Sequence, residues 1–143
     1  MSEILVDNLT GKTSAGSIVV YGEGGTATTN LQQGLAKAWC QFDGTVATIA
    51  YADSFNGSSL LDLGEGRYQN SITNVMDTAT YPVIAEAGNE LSDYSSSADD
   101  ARDHNSMIGS RTSSVQRLFS VDADGGAQDD CQSMNAVIFG DLA

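Results

Sequence analysis

Residues 36–76 read AKAWCQFDGTVATIAYADSFNGSSLLDLGEGRYQNSITNVM. Three runs in this stretch hold strand-forming residues: Lys37–Phe42, Val46–Tyr51 and Arg67–Asn74. They are separated by Asp43-Gly44, Asn56-Gly57-Ser58-Ser59 and Gly64-Glu65-Gly66. Short apolar runs bounded by Gly, Asp, Asn and Ser predict a meander of antiparallel strands. Asp-Gly favours the tight turns that follow strand twist, so Asp43-Gly44 is the expected hairpin. Under a two-residue period, Ala36, Ala38, Cys40 and Phe42 share one face, and Lys37, Trp39 and Gln41 the other. If the first face is the core, Trp39 stands on a second surface. It then needs cover, from a subunit interface or from a neighbouring arm or loop. Between Val46 and Phe55 the bulkier alternating set, Ala47, Ile49, Tyr51 and Asp53, is expected inward. Ser58–Leu63 predicts a further short strand, and Tyr68 and Ile72 fit a half-buried one.

The chain beyond this stretch continues in the same style. Tyr81–Ala87 reads as a strand with Pro82 tolerated at its start, where no ladder donor is needed. Leu91–Met107 is polar and acidic, without period. It is expected as an exposed loop, with at most a helical turn near Ala98–Arg102. Arg111–Val121 and Ser133–Gly140 return to strand character, with a Gly-rich acidic turn, Asp122–Asp130, between them. In the last strand Val137 and Phe139 share one face, Ala136 and Ile138 the other. Seven to nine short strands with no strand–helix–strand spacing predict an all-β chain. The expected architecture is an antiparallel β-sandwich of jelly-roll type with an extended N-terminal arm.

Residues 1–35 carry the arm and residues 36–143 the sandwich. Ile4-Leu5-Val6 and Ser17–Tyr21 are short apolar runs interrupted by Asn8–Gly11 and Gly22–Gly25. Thr28 or Asn30 is placed to cap one helical turn through Leu31–Ala36, with Gly34 limiting its length. Pieces this short build no core of their own. They are ordered by contact with a neighbouring copy or a larger assembly, or else they add an edge strand to the main domain. The candidate interface residues are Ile4, Leu5, Val6, Ile18, Val19, Val20, Tyr21, Leu31, Leu35 and Trp39.

Composition narrows the function classes. The 143 residues hold 19 acidic and 6 basic side chains, for a net charge of −13. That disfavours nucleic acid as a partner, because phosphate binding needs clustered Lys and Arg. It equally disfavours an anionic membrane surface. It suits solubility, a partner with a basic or mixed surface, or bound cations. No apolar run approaches the roughly 20 residues of a membrane span. The start lacks the basic, apolar and small-residue order of a signal peptide, so folding in a cytoplasm is expected. There Cys40 and Cys131 are expected as buried thiols rather than a disulfide.

No constellation for catalysis emerges. His104 follows Asp99, Asp100 and Asp103, but no Gly-x-Ser-x-Gly elbow and no further zinc ligands accompany it. Asp122, Asp124, Asp129 and Asp130 sit on a Gly-rich turn and are weak calcium candidates. The EF-hand pattern fails there, because Gly126 occupies a ligand position and no Glu closes the loop. No catalytic residue and no cofactor is expected.

Certain motifs carry a resemblance. Lys37-Ala38-Trp39, Phe42–Thr45, Asp53–Asn56, Gly64-x-Gly66-Arg67-Tyr68 and Ile72-Thr73-Asn74-x-Met76 resemble a small β domain of marine bacteriophage virion proteins. That domain, of cyanophage- and pelagiphage-like character, is often labelled tail fibre or structural protein. Asn135–Asp141 is similar to its closing strand. The resemblance spans about the last three-quarters of the chain and is dense from Trp39 to Tyr81. It implies a virion structural protein made in the host bacterial cytoplasm. The expected role is a capsid decoration, cement or head-fibre protein that grips the shell through its arm. A homotrimer is implied, with the major capsid protein or another virion protein as further partner. The alternative is a tail-fibre or receptor-binding knob whose loops meet a host surface glycan. The motifs are structural and imply no enzyme.

Overall fold

The computed structural model describes residues 4–12, 18–22, 24–88, 104–122 and 126–143. The chain divides into two compact units, Met1–Leu35 and Ala36–Ala143.

In the first unit, β1 (Val19–Tyr21) pairs antiparallel with β2 (Thr28–Asn30), Val20 opposite Thr29. Gly24 and Gly25 take positive φ in the connection, which an L side chain would resist. One helical turn follows, α1 (Leu31–Gly34). Asn30 is its N-cap, its side chain accepting from the Gln33 N–H at 3.1 Å. Asn30 is one of the two capping residues expected, and the cap fits because Leu31 starts a turn with no internal partner for its first N–H groups.

The second unit is an all-β sandwich of two four-stranded antiparallel sheets. The first sheet has the order β4 (Tyr51–Phe55), β3 (Ala38–Phe42), β10 (Ser133–Ile138), β7 (Val83–Gly88). The second has the order β5 (Gly57–Asp62), β6 (Arg67–Ile72), β9 (Val115–Asp122), β8 (His104–Arg111). The expected period-two faces appear in β3, where Ala38, Cys40 and Phe42 are buried while Trp39 is only half-buried. Val137 and Phe139 are likewise less buried than Ala136 and Ile138.

Buried residues form two clusters. Cys40, Phe42, Tyr68, Leu118, Cys131, Met134 and Ala136 make one, and Ala38, Ile72, Met76, Tyr81 and Ile138 the other. The Phe42 and Tyr68 rings meet edge to face, centroids 5.0 Å apart. Each large apolar side chain so buried contributes about 1.5–3 kcal/mol.

Two expectations along the chain are corrected. Val46–Tyr51 is not a strand; bends run from Gly44 to Thr48, and pairing resumes only at Tyr51. The Asp43 carboxylate accepts from the Thr45 N–H at 2.8 Å and the Thr45 hydroxyl at 2.7 Å. That side-chain capture turns the chain away from the ladder despite the strand propensity of Val46 and Thr48. Asp43-Gly44 therefore opens a wide β3–β4 loop rather than a two-residue turn. Ala47 is exposed, while Ile49 and Tyr51 pack on the core.

The second correction concerns the far end of Leu91–Met107. His104–Met107 belongs to β8, where Met107 lies opposite Phe119. The single strand expected over Arg111–Val121 is two strands, turned at Thr112, whose hydroxyl accepts from the Ser114 and Val115 N–H groups. Residues 91–103, including the helical turn expected near Ala98–Arg102, lie outside the described residues.

Side chains lock the two sheets together. At the β4–β5 crossing Asn56 is the one described non-glycine residue with positive φ, at 60°. Its Nδ2 donates to the Lys37 and Asn74 carbonyls, both at 3.0 Å, and its Oδ1 accepts from the Asn74 N–H at 2.7 Å. Tyr51, from the first sheet, donates to Asn70 Oδ1 of the second at 2.6 Å. On the opposite flank Ser106 Oγ donates to the Ala85 carbonyl, and Arg111 donates to the Tyr81 carbonyl at 2.6 Å.

Candidate interaction surface

The outward face of the first sheet is set by register. Phe55 lies opposite Trp39, Trp39 opposite Val137, and Val137 opposite Ile84. These four residues form one apolar row across all four strands. Phe55 is 52% exposed and Ile84 65%, with Trp39 and Val137 half-buried between them. The next outward row is polar: Asp53, Gln41, Asn135 and Glu86 face one another in the same strand order. Both ends of that row are carboxylates. The rows are two residues apart, about 7 Å, and each spans three strand spacings, about 14 Å.

Exposed apolar side chains also mark the first unit. Ile4 and Leu5 are more than four-fifths exposed, and Val6, Val19, Val20, Tyr21 and Leu35 are exposed as well. Ile18 and Leu31 are half-buried. Of the ten interface candidates, seven are thus exposed and three, Ile18, Leu31 and Trp39, are half-buried. Phe55 and Ile84 escaped sequence reading. Phe55 closes the alternating Val46–Phe55 run, whose inward set was followed only to Asp53, and Ile84 was one apolar residue in an apolar run. Strict alternation keeps Tyr51, Asp53 and Phe55 on one face, but the register shift between Gln41 and Phe42 turns Asp53, expected inward, and Phe55 outward while Tyr51 packs on the core.

The acidic turn does other work. Asp130 Oδ1 accepts from the Gly66 N–H at 2.7 Å and from the Tyr68 hydroxyl at 2.8 Å. Asp129 Oδ1 accepts from the Asp130 N–H at 3.0 Å, and the Asp129 N–H donates to the Ser120 carbonyl. Asp122 ends β9, and Asp124 lies outside the described residues. Among the described residues no three His, Cys, Asp or Glu side chains gather as metal ligands do.

The interior is polar along one line. Tyr51 donates to Asn70, and Asn70 Nδ2 donates to Gln116 Oε1 at 3.2 Å, with both amide side chains buried. Among the described residues Gln116 Nε2 has no hydrogen-bond partner, while the Ser120 hydroxyl bonds the Cys131 thiol and opposes the burial that raises it. Burial pushes the Tyr51 hydroxyl up to about 12, helped by the nearby Cys40 thiol. Burial likewise pushes the Cys40 thiol up to about 12, opposed by a backbone hydrogen bond from Ala136. Tyr68 is raised by burial and by its bond to Asp130. Tyr81 is raised by burial, against the Arg111 cation 5.5 Å from its ring centre. These shifts all favour the neutral forms. Such groups pack and bond at neutral pH, and none is an activated nucleophile.

Cys40 and Cys131 are both free and buried. Cys40 lies opposite Ala136, whereas the Cys131 carbonyl accepts from the Gly44 N–H, four residues further on. Among the described residues no helix is long and apolar enough to cross a membrane. Comparison with known proteins finds nothing similar: no family model, no curated protein and no solved structure matches the chain.

Proposed function

We propose that this chain is a bacteriophage virion structural protein, a capsid decoration, cement or head-fibre protein anchored through residues 1–35. The observation that carries the reading is the contrast between its two units. Residues 36–143 contain both buried clusters, while Ile4, Leu5, Val6 and Tyr21 of the first unit are exposed. A two-stranded ribbon with a single helical turn is marginal in water by itself. Its apolar side chains gain stability by docking on a shell or on neighbouring copies, and a homotrimer would bury them among equivalent arms. The acidic excess suits a particle that must stay dispersed.

The sandwich belongs, in this reading, with jelly-roll types: its first and last strands, β3 and β10, lie side by side, although β3–β4, β5–β6 and β8–β9 each stay within one sheet. The motifs from Trp39 to Tyr81 favour the virion setting over any catalytic one. The second reading, a tail-fibre or receptor-binding knob, draws on the same motifs.

The test is copy number and anchoring. Quantitative mass spectrometry against the major capsid protein of a virion containing this chain should give hundreds of copies. Purified full-length chain should decorate emptied shells at stoichiometric ratio, and a chain lacking residues 1–35 should not. A dozen or two copies would transfer the reading to the tail, and absence from purified virions would end both.

A further inference from the structure

We propose that the outward face of the β4-β3-β10-β7 sheet is a docking surface for a basic-flanked apolar segment of a partner protein. The inference stands on that face alone and holds or falls independently of the virion reading. Phe55, Trp39, Val137 and Ile84 make an apolar row that crosses the sheet without interruption. The side chains at its two ends are the most exposed, at 52% and 65%. A continuous row with an aromatic centre is what interface cores use, whereas scattered exposed apolar residues need no partner.

The parallel row selects the occupant by charge. Asp53 and Glu86 end it on the two edge strands, about 14 Å apart across three strand spacings. Gln41 and Asn135 between them offer neutral donors and acceptors. A segment whose apolar side chains lie on Trp39 and Val137 meets a carboxylate at each end, so it is complementary when it carries Lys or Arg there. A second copy is disfavoured on the same ground. It would bring two more carboxylates to the contact, between molecules that each carry a net charge of −13. The face is also small. Four strands by five or six residues cover about 350 Å², under half of the roughly 800 Å² per partner of a stable interface.

Trp39 is the single tryptophan of the chain and lies in the row, so its fluorescence reports occupancy directly. The probe is a helical peptide with leucines along one face between two lysines about eleven residues apart, roughly 16 Å along the axis. Its control carries glutamate at both ends. Full-length protein titrated with the lysine peptide at low salt should show a saturable blue shift of Trp39. Asp53→Asn with Glu86→Gln should weaken that binding about fivefold or more, as should added salt. Ile84→Ser, and separately Phe55→Ser, should weaken it further. Both side chains are more than half exposed, so the folded state should survive, and near-UV dichroism checks that it does. Equal binding of the glutamate peptide, or no response of Trp39 to either peptide at about millimolar concentration, overturns the proposal. So does a Trp39 shift that follows protein concentration alone with a doubled sedimenting mass, because the occupant is then a second copy.

Discussion

Asn56 shows how one residue can fix the meeting of two sheets. Its φ of 60° is a conformation that costs most L residues about 1–2 kcal/mol. Asn tolerates it, and here the side chain also holds three backbone groups, two on Asn74 and one on Lys37. At about 1 kcal/mol net for each bond, Asn56→Ala should lose about 3–4 kcal/mol in urea unfolding. Asn56→Gly should lose about 1 kcal/mol less, because glycine recovers the backbone term but not the bonds. Equal losses for the two variants would mean that no conformational strain resides there. Buried acids give a second expectation at this scale. The Cys40 thiol and the Tyr51 hydroxyl are raised from 9.0 and 10.0 to about 12 in the folded chain. Once unfolded, both groups release protons at their ordinary values, so from about pH 9 to 12 the unfolded chain binds fewer protons than the folded one. Stability is therefore full below pH 9 and falls as pH rises through this window. The urea midpoint should be flat from pH 7 to 8.5 and then decline. In Cys40→Ala the decline should be shallower by up to about 1.4 kcal/mol per pH unit. An unchanged slope would show that the Cys40 thiol ionises as freely folded as unfolded.

At the scale of elements, legibility followed the backbone's local demands. The β5–β6 hairpin was readable because Gly64-Glu65-Gly66 carries its geometry in its own residues. Gly64 and Gly66 take φ of 108° and 62°, and the Arg67 N–H closes on the Gly64 carbonyl at 2.8 Å. The β3–β4 loop was misread because its course depends on Asp43 folding back on Thr45 and on Tyr68 and Cys131, which are remote in sequence. Parity in β3 and β10 was legible from alternation. The outward apolar row was not, since it exists only once four strands from distant parts of the chain are in register. Two glycines separate local conformation from tertiary fit. Gly66 and Gly126 have nearly the same φ, 62° and 66°. A Cβ on Gly126 meets nothing within 4 Å, whereas one on Gly66 meets the Ser120 carbonyl and, at 2.6 Å, the Asp129 backbone nitrogen. Gly126→Ala should therefore cost about 1 kcal/mol of conformational strain. Gly66→Ala should cost about 3 kcal/mol or more, because rigid backbone must move and the Asp130 bond goes with it. Calorimetric midpoints for the two variants measure the difference, and matching losses would show that the β6–β9 contact yields easily.

For the whole molecule, the division into Met1–Leu35 and Ala36–Ala143 makes a thermodynamic claim. Every residue of both buried clusters lies in the second unit. The denaturant slope of unfolding scales with the surface exposed, and most of that surface belongs to the clusters and their ladders. A chain of residues 36–143 should thus unfold in one cooperative step, with a urea slope within about 15% of the full chain's. A peptide of residues 1–35 should show no cooperative transition, since a two-stranded sheet with three residues on each side is too short to persist alone. This outcome separates folding from attachment. If the shortened chain keeps its stability yet no longer decorates shells, the lost binding belongs to the removed residues and not to a damaged sandwich. If its slope drops well beyond 15%, or its transition broadens, residues 1–35 contribute to the same cooperative core, and the arm is then an integral layer of the domain rather than an anchor.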